Sequence, residues 1–264
     1  LTQPLPCVGL IPAAGLATRL GALPCSKEIL PLPQSDADKT NRIRVVADCL
    51  LDAYRSAGIE DVYFIIRKGK WDIPAFYGDG HPLGLNIAYL MMRHPFGTPF
   101  TLDQAFPFIK DKRIALGFPD IQFSPGNVYQ QLLSKQAKTN ADVVLGLFPP
   151  DNPSKFDMVD FLPSGQVKSI DIKPTKTNLE YGWICAVWTP TFSSFMHEFL
   201  ANALTKNELE SIPEIYVGAV MQAALREGMT ITTEIFPAGE AIDVGTTDAL
   251  ATVMRLNTDA HSGS

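Results

Sequence analysis

The sequence is poor in the residue types that metal centres and covalent catalysis use. It holds four cysteines and four histidines in 264 residues. Cys7, Cys25, Cys49 and Cys185 form no CxxC pair, so neither a disulfide framework nor a zinc site is expected. His81, His94, His197 and His261 show no HxxxH or HExxH spacing. None of His81, His94 and His197 has an evident Asp or Ser partner in the sequence, and none is given a catalytic role. Ser26 lacks a GxSxG context, which disfavours a serine hydrolase. No apolar run approaches the ~18 residues that span a bilayer. Leu1 to Pro6 lacks the basic and long apolar regions of a secretory leader. Basic charge is also scarce: 22 Lys and Arg against 28 Asp and Glu give a net −6. A nucleic-acid binder would need a basic face, although a local basic pocket for a phosphorylated ligand is compatible with this sum. These absences lead us to expect a reduced, cytoplasmic protein without a transition metal, a membrane span or a nucleic-acid partner.

What the chain does have is a core and many turns. Apolar residues make up 46%, and 21 prolines with 19 glycines exclude a helical bundle. One large domain over residues 1–264 is expected. Apolar runs at Cys7 to Ile11, Val62 to Ile66, Asn86 to Met92, Arg113 to Phe118 and Val143 to Phe148 read as strands. Helical spacing appears at Val45 to Ala57, Leu102 to Phe108 and Asn127 to Lys138. This alternation predicts an α/β fold with a doubly wound sheet over roughly the first 150 residues, where ligands sit at the carboxyl ends of strands. The second half reads as a smaller β-rich lobe. It has a hairpin (Phe156 to Phe161 with Val167 to Ile172), a strand at Trp183 to Trp188 and another at Met229 to Phe236. Helices are predicted at Pro190 to Phe199, Ile212 to Arg226 with Pro213 in its first turn, and Thr247 to Leu256. Trp183, Trp188, Phe192, Phe195 and Phe199 read as core. The polar stretch Gln34 to Asn41 reads as a loop.

Chemistry-bearing residues cluster at predicted strand ends. Ala13, Ala14, Gly15 and Ala17 make a small-residue turn whose backbone N–H groups could approach an anion closely. Arg19 adds a forked cation suited to phosphate, and Lys27 could place a second cation on the same polyphosphate. No GK[ST] or GxGxxG is present, so this is neither a Walker loop nor a strict dinucleotide fingerprint. Asp120 ends a buried strand and Asp243 lies in a distant turn; two carboxylates facing one cleft would suit Mg²⁺ together with phosphate oxygens. Each would serve equally as a helix cap or turn acid. Lys173, at another strand end, could hold a second phosphate or could equally be an exposed edge-strand lysine.

These pieces, in this order, resemble the sugar-1-phosphate nucleotidyltransferase family, and in particular its glucose-1-phosphate thymidylyltransferase and UTP–glucose-1-phosphate uridylyltransferase branches. The segment IPAAGLATRL from Ile11 to Leu20 is similar to the signature turn, and SKEILPL from Ser26 to Leu32 to the PKxxLP segment. Phe76 to Gly80 and Gly84 to Tyr89 resemble FGDG…GxxIxY, Lys173-Pro174 the EKP motif, and Ile242 to Thr246 the DxGT motif. The resemblance implies a Rossmann-like mixed sheet with a smaller sugar-binding lobe. Residues 1–150 would bind the nucleotide and residues 151–250 the sugar phosphate. It implies attack of a sugar 1-phosphate oxygen on the α-phosphorus of a nucleoside triphosphate, dTTP or UTP being favoured. Arg19, Lys27 and Lys173 would act on the phosphates. Ala13, Ala14, Gly15 and Gly97 would contact the nucleotide, Lys173 and Gly182 the sugar phosphate, and Asp120 and Asp243 would hold Mg²⁺. A homo-oligomer is compatible with the resemblance, and a long C-terminal regulatory extension is not expected.

The sequence departs from the family pattern at Ala17, where Gly is usual, and at Pro119 before the metal aspartate. Ile172 replaces the EKP glutamate, and Met92 falls where thymidylyltransferases carry a base-reading Gln. These departures leave the base and the acceptor open. A cytidylyltransferase for a non-sugar phosphate such as phosphocholine and a non-catalytic homologue therefore stand as alternatives. A dinucleotide-dependent oxidoreductase is weaker, because Asp36 and Asp38 lie in a polar loop rather than at a strand end.

Overall fold

The computed structural model describes residues 5–16, 18–33, 42–206 and 214–259. Ala17, the polar stretch 34–41 and Pro213 lie outside the described residues. The strands are β1 (Cys7–Pro12), β2 (Asp61–Ile66), β3 (Asn86–Met91), β4 (Arg113–Leu116), β5 (Ile121–Ser124), β6 (Val143–Phe148), β7 (Met158–Phe161), β8 (Val167–Asp171), β9 (Gly182–Trp188), β10 (Ile231–Ile235) and β11 (Glu240–Asp243). The helices are α1 (Asp48–Ser56), α2 (Asp72–Tyr77), α3 (Thr98–Asp103), α4 (Phe106–Ile109), α5 (Val128–Thr139), α6 (Pro190–Lys206), α7 (Val217–Arg226) and α8 (Thr247–Asp259).

The central sheet runs β10-β6-β9-β4-β1-β2-β3. It is parallel throughout except at β9, which is antiparallel to both neighbours. Its central strands are apolar because helices cover both faces, while the edge strands β3 and β10 carry polar residues. Every residue of β6 and β9 is buried. One face packs Tyr54, Phe64, Tyr129 and Val144 against α1 and α5, and the other packs Leu10, Ile114, Leu145 and Trp188 against α3, α6 and α7. Gly9 is the spacer on the α1 face: a Cβ there would stand 2.6 Å from the Tyr54 ring. Tyr54 and Tyr129 donate to the carbonyls of Ala115 (2.7 Å) and Leu116 (2.8 Å), tying α1 and α5 to the end of β4.

The expected α/β architecture is therefore present. Strands β9 and β10 of the second half enter the central sheet, the β7–β8 hairpin joins it where Met158 pairs with Gly182 of β9, and what stands apart is a two-stranded antiparallel ribbon, β5 with β11. The ribbon was not expected, nor was α2. The predicted helix over Leu102 to Phe108 is two helices, α3 and α4. Pro107 has no N–H to continue the ladder and opens a new first turn instead. Helix α1 starts at Asp48 rather than Val45, because Val45 is bridged to Pro31 and its N–H is held by the Asp48 carboxylate at 2.8 Å. Helix α7 starts at Val217; just before it, the N–H of Ile215 bonds to Phe96 O at 2.9 Å. Among the described residues no helix is long and apolar enough to cross a membrane.

Candidate active site

Because β1, β2, β3 and β4 are parallel, their carboxyl ends open on one edge, and the antiparallel β9 presents its first residues at that same edge. Two cavities lie there. The larger, of about 600 Å³, is lined by Ala14, Gly15, Lys27, Glu28, Met92 and Gly97 among others. The smaller, of about 280 Å³, is lined by Arg19, Lys155, Asp157, Lys173, Trp183 and Asp243 among others. Thr98, Phe118 and Asp120 line both, so the cavities adjoin at Asp120.

The sequence-named residues distribute unevenly over these walls. Ala14 and Gly15 border the larger cavity, and a Cβ on Gly15 would meet nothing within 4 Å. Ala13 is buried and its N–H is spent on Ile65 O at 2.8 Å, so that amide belongs to the sheet and not to the cavity. Gly97 borders the larger cavity at φ +114°, and a Cβ there would overlap the Ile215 carbonyl. Gly182 is buried and does not border the smaller cavity; a Cβ there would come within 2.9 Å of Phe156 Cβ. Its smallness lets the hairpin close on β9. Lys173 is exposed, at φ +40°, with its ammonium 4.1 Å from the centre of the Tyr216 ring. A non-glycine residue in that region carries backbone strain of the kind found at ligand sites.

Lys27 and Asp120 form a partly buried ion pair. Burial lowers the lysine's pKa, but Asp120, Glu28 and Asp243 more than offset this, so it lies above the ordinary lysine value. Asp120 and Asp243 are brought together by the β5–β11 ribbon, in which Asp243 is opposite Ile121 and the N–H of Val244 bonds to Asp120 O at 2.8 Å. The Asp243 carboxyl is pushed above its ordinary range by burial and then by the like charge of Asp120, with Lys27, Arg19 and Lys155 pulling the other way. Two carboxylates brought to one junction by this ribbon suit a hard cation that takes one or two carboxylates and completes its shell with phosphate oxygens and water. Among the described residues no larger cluster of His, Cys, Asp or Glu has metal-binding geometry.

Several residues on these walls were not found from sequence. Glu28 is 1% exposed, accepts from Lys70 at 2.5 Å through Oε1, and leaves Oε2 without a partner. Burial pushes its carboxyl up, with Lys70 opposing. Thr101, Glu214 and Arg67 also border the larger cavity. Lys155, Asp157 and Tyr216 border the smaller, together with Trp183, whose spacing reads only as core. The lone signal for Glu28 was its place within the segment SKEILPL. Lys155, Asp157, Glu214 and Tyr216 had none. Away from both cavities, His197 has a partner after all: its Nδ1 lies 3.0 Å from Asp103 Oδ1, and its ring stacks on Phe106 at 4.0 Å. Ser26 is spent on Asp72, to which its hydroxyl donates at 2.7 Å.

Comparison with known proteins bears on the fold and the family. Glucose-1-phosphate thymidylyltransferase of Streptomyces griseus is 27% identical over 207 residues, which are 76% of this chain and 54% of that protein. The enzyme of the same name from Neisseria meningitidis serogroup A is 25% identical over 250 residues, 92% of this chain and 79% of that one. This chain thus spans about half the length of the Streptomyces relative. A proposed glucose-1-phosphate thymidylyltransferase from Bacillus anthracis, solved in complex with a sucrose, has the same fold, with a TM-score of 0.79, 18% identity and 96% of both chains covered. The family model described as nucleotidyl transferase matches residues 8–260. That stretch contains both cavities and the Asp120 junction between them, and the chain belongs to the nucleotidyl transferase family.

Proposed function

We propose that the protein transfers a nucleotidyl group from a nucleoside triphosphate, dTTP or UTP, to a sugar 1-phosphate, releasing pyrophosphate in a Mg²⁺-dependent reaction. The observation that carries this reading is the junction of two cavities at Asp120, with Lys27 on one side and Asp243 with Lys173 on the other. The larger cavity takes the triphosphate, with Ala14 and Gly15 giving the phosphates room and Lys27 neutralising them. Gly97, at its far wall, lies near the base. The smaller cavity takes the acceptor, whose phosphate Lys173 holds. Arg19 borders the smaller cavity beside Asp243, where it neutralises phosphate charge near the junction rather than on the triphosphate wall. The first half of the chain thus serves mainly the nucleotide and the second mainly the acceptor.

Asp120 and Asp243 would hold Mg²⁺, which when bound neutralises phosphate oxygens and makes the α-phosphorus more electrophilic. An oxygen of the acceptor phosphate attacks the α-phosphorus and the bond to pyrophosphate breaks. The chain forms no covalent intermediate; its residues bind, orient and neutralise.

Pyrophosphate release measured with dTTP, UTP, CTP, GTP and ATP, each with and without glucose 1-phosphate, tests the reading. Release should require both substrates and stop with EDTA. Asp120→Asn and Asp243→Asn should each lower kcat by roughly 100-fold or more with the circular dichroism spectrum unchanged. Wild-type rates in both variants would remove the metal assignment, and release without an acceptor would remove the transfer reaction.

A further inference from the structure

The smaller cavity contains an unused hydrogen-bonding pair that the transfer chemistry does not require. Asp157 is 8% exposed and Trp183 is 6% exposed, and both line the cavity. Asp157 Oδ1 and Trp183 Nε1 are each buried without a hydrogen-bond partner. Buried polar atoms in native proteins are nearly always satisfied, so two orphans on one cavity wall point to a ligand that satisfies them. The two residues are locked side by side, since the N–H of Trp183 donates to Asp157 O at 3.2 Å where β9 starts beside β7. The indole N–H lies near enough to the carboxylate to favour its charge, yet makes no bond of ordinary geometry.

The surroundings fix the carboxylate in place. Backbone N–H groups of Lys173 and Gly218 act on it, and its Oδ2 lies where a Cβ on Gly218 would stand. Ile172, by contrast, packs against that same glycine, with Cδ1 2.8 Å from the position of such a Cβ. The side chain preceding Lys173 is therefore apolar packing and offers no hydrogen bond. An unfilled acceptor beside an unfilled donor matches a hydroxyl group, which both donates and accepts. A quaternary ammonium would leave the indole N–H unpaired and would face the cations Arg19, Lys155 and Lys173 on the same walls.

Resting on the acceptor assignment above, we propose that Asp157 and Trp183 are the specificity-determining pair for the acceptor, Asp157 accepting from a ring hydroxyl of the sugar phosphate and Trp183 donating to it. The pair selects polyhydroxylated acceptors over choline-like ones, and among sugars it selects for one hydroxyl position.

The test is kcat/KM for pyrophosphate release with glucose 1-phosphate, its monodeoxy analogues and phosphocholine, on the wild type, Asp157→Ala and Trp183→Phe. In the wild type, removing one particular hydroxyl should cost on the order of 100-fold. In Asp157→Ala that same analogue and glucose 1-phosphate should react at nearly equal rates, with the KM for triphosphate unchanged. Trp183→Phe, which keeps the ring and removes only the N–H, should narrow the same gap and covers the case in which Asp157→Ala does not fold. Equal losses for every acceptor would make the pair structural and overturn the proposal. So would a deoxy series that the wild type does not distinguish, or a preference for phosphocholine. If no acceptor supports turnover, calorimetry with glucose 1-phosphate separates the two readings. Binding that both variants weaken keeps the pair and sinks the transfer reaction, whereas no binding to the wild type sinks the pair as well.

Discussion

Gly15 and Gly97 both border the larger cavity, yet different forces keep them glycine. Space around Gly15 is open, and its backbone is outside the left-handed region, so a side chain would fit the folded chain and fill the cavity instead. Gly97 has φ +114° and no room for a Cβ beside the Ile215 carbonyl. We therefore predict that Gly15→Val leaves Tm within about 2 °C of wild type while raising the KM for triphosphate by roughly 10-fold or more. Gly97→Ala should instead lower Tm by several degrees, on the order of 2 kcal/mol, because both the strain and the overlap must be relieved. Differential scanning calorimetry with initial-rate kinetics separates the two. A Gly15 variant that unfolds, or a Gly97 variant with normal Tm, would contradict these roles. At this scale it was the ordered set of motifs, and no single residue type, that singled out Arg19, Lys27 and Asp120, which line the two cavities. The sequence was silent on Glu28, Asp157 and Trp183, whose significance lies in unpaired atoms on a wall, a property of packing and not of spacing.

Among elements, the long apolar strands were legible because burial on both faces writes a continuous run. The four-residue strands β5 and β11 were not, since each is held only by the other, far away in the chain. That ribbon nevertheless sets Asp120 beside Asp243. The seam between α3–α4 and α6 was equally hidden, and it carries the His197–Asp103 pair. Burial raises the Asp103 carboxyl above its ordinary range, with His197 opposing. A raised carboxyl binds its proton more tightly in the folded state. Its contribution to stability is therefore full below the ordinary carboxylate pKa and is lost as pH rises through the raised one. Relative to the wild type, Asp103→Asn should gain stability as pH rises from about 4, the ordinary carboxylate value, and level off once Asp103 is fully ionised, whatever the other carboxylates do. His197→Ala should lower Tm at pH 7 by about 2–4 °C, because it strips a partly buried carboxylate of its partner, worth about 1 kcal/mol. Thermal melts of the three proteins across that range check both; a difference between Asp103→Asn and wild type that stays constant with pH would remove the linkage.

Over the whole molecule, alternation of strand and helix was enough to predict the doubly wound sheet and the edge on which the two cavities open. It could not reveal that β9 runs backwards between β4 and β6, which brings Trp183 to the same edge as Gly15 and Asp120. The consequence is one cleft with two compartments, drawn from both halves of the chain and meeting at Asp120. If the compartments bind separate substrates, each ligand should stabilise the fold by its own amount. A ligand at about 100 times its Kd adds about 2.7 kcal/mol, or roughly 5–10 °C in Tm for a chain of this size. Lys173 borders only the smaller compartment, with its ammonium over Tyr216. Lys173→Ala should therefore abolish most of the shift given by glucose 1-phosphate while keeping that given by triphosphate with Mg²⁺. Gly15→Val should do the reverse. The four melts form a crossed design, and only two separable compartments give the crossed result. Loss of both shifts in either variant would mean that the substrates share one site, and the division of the chain into a nucleotide half and an acceptor half would fall with it.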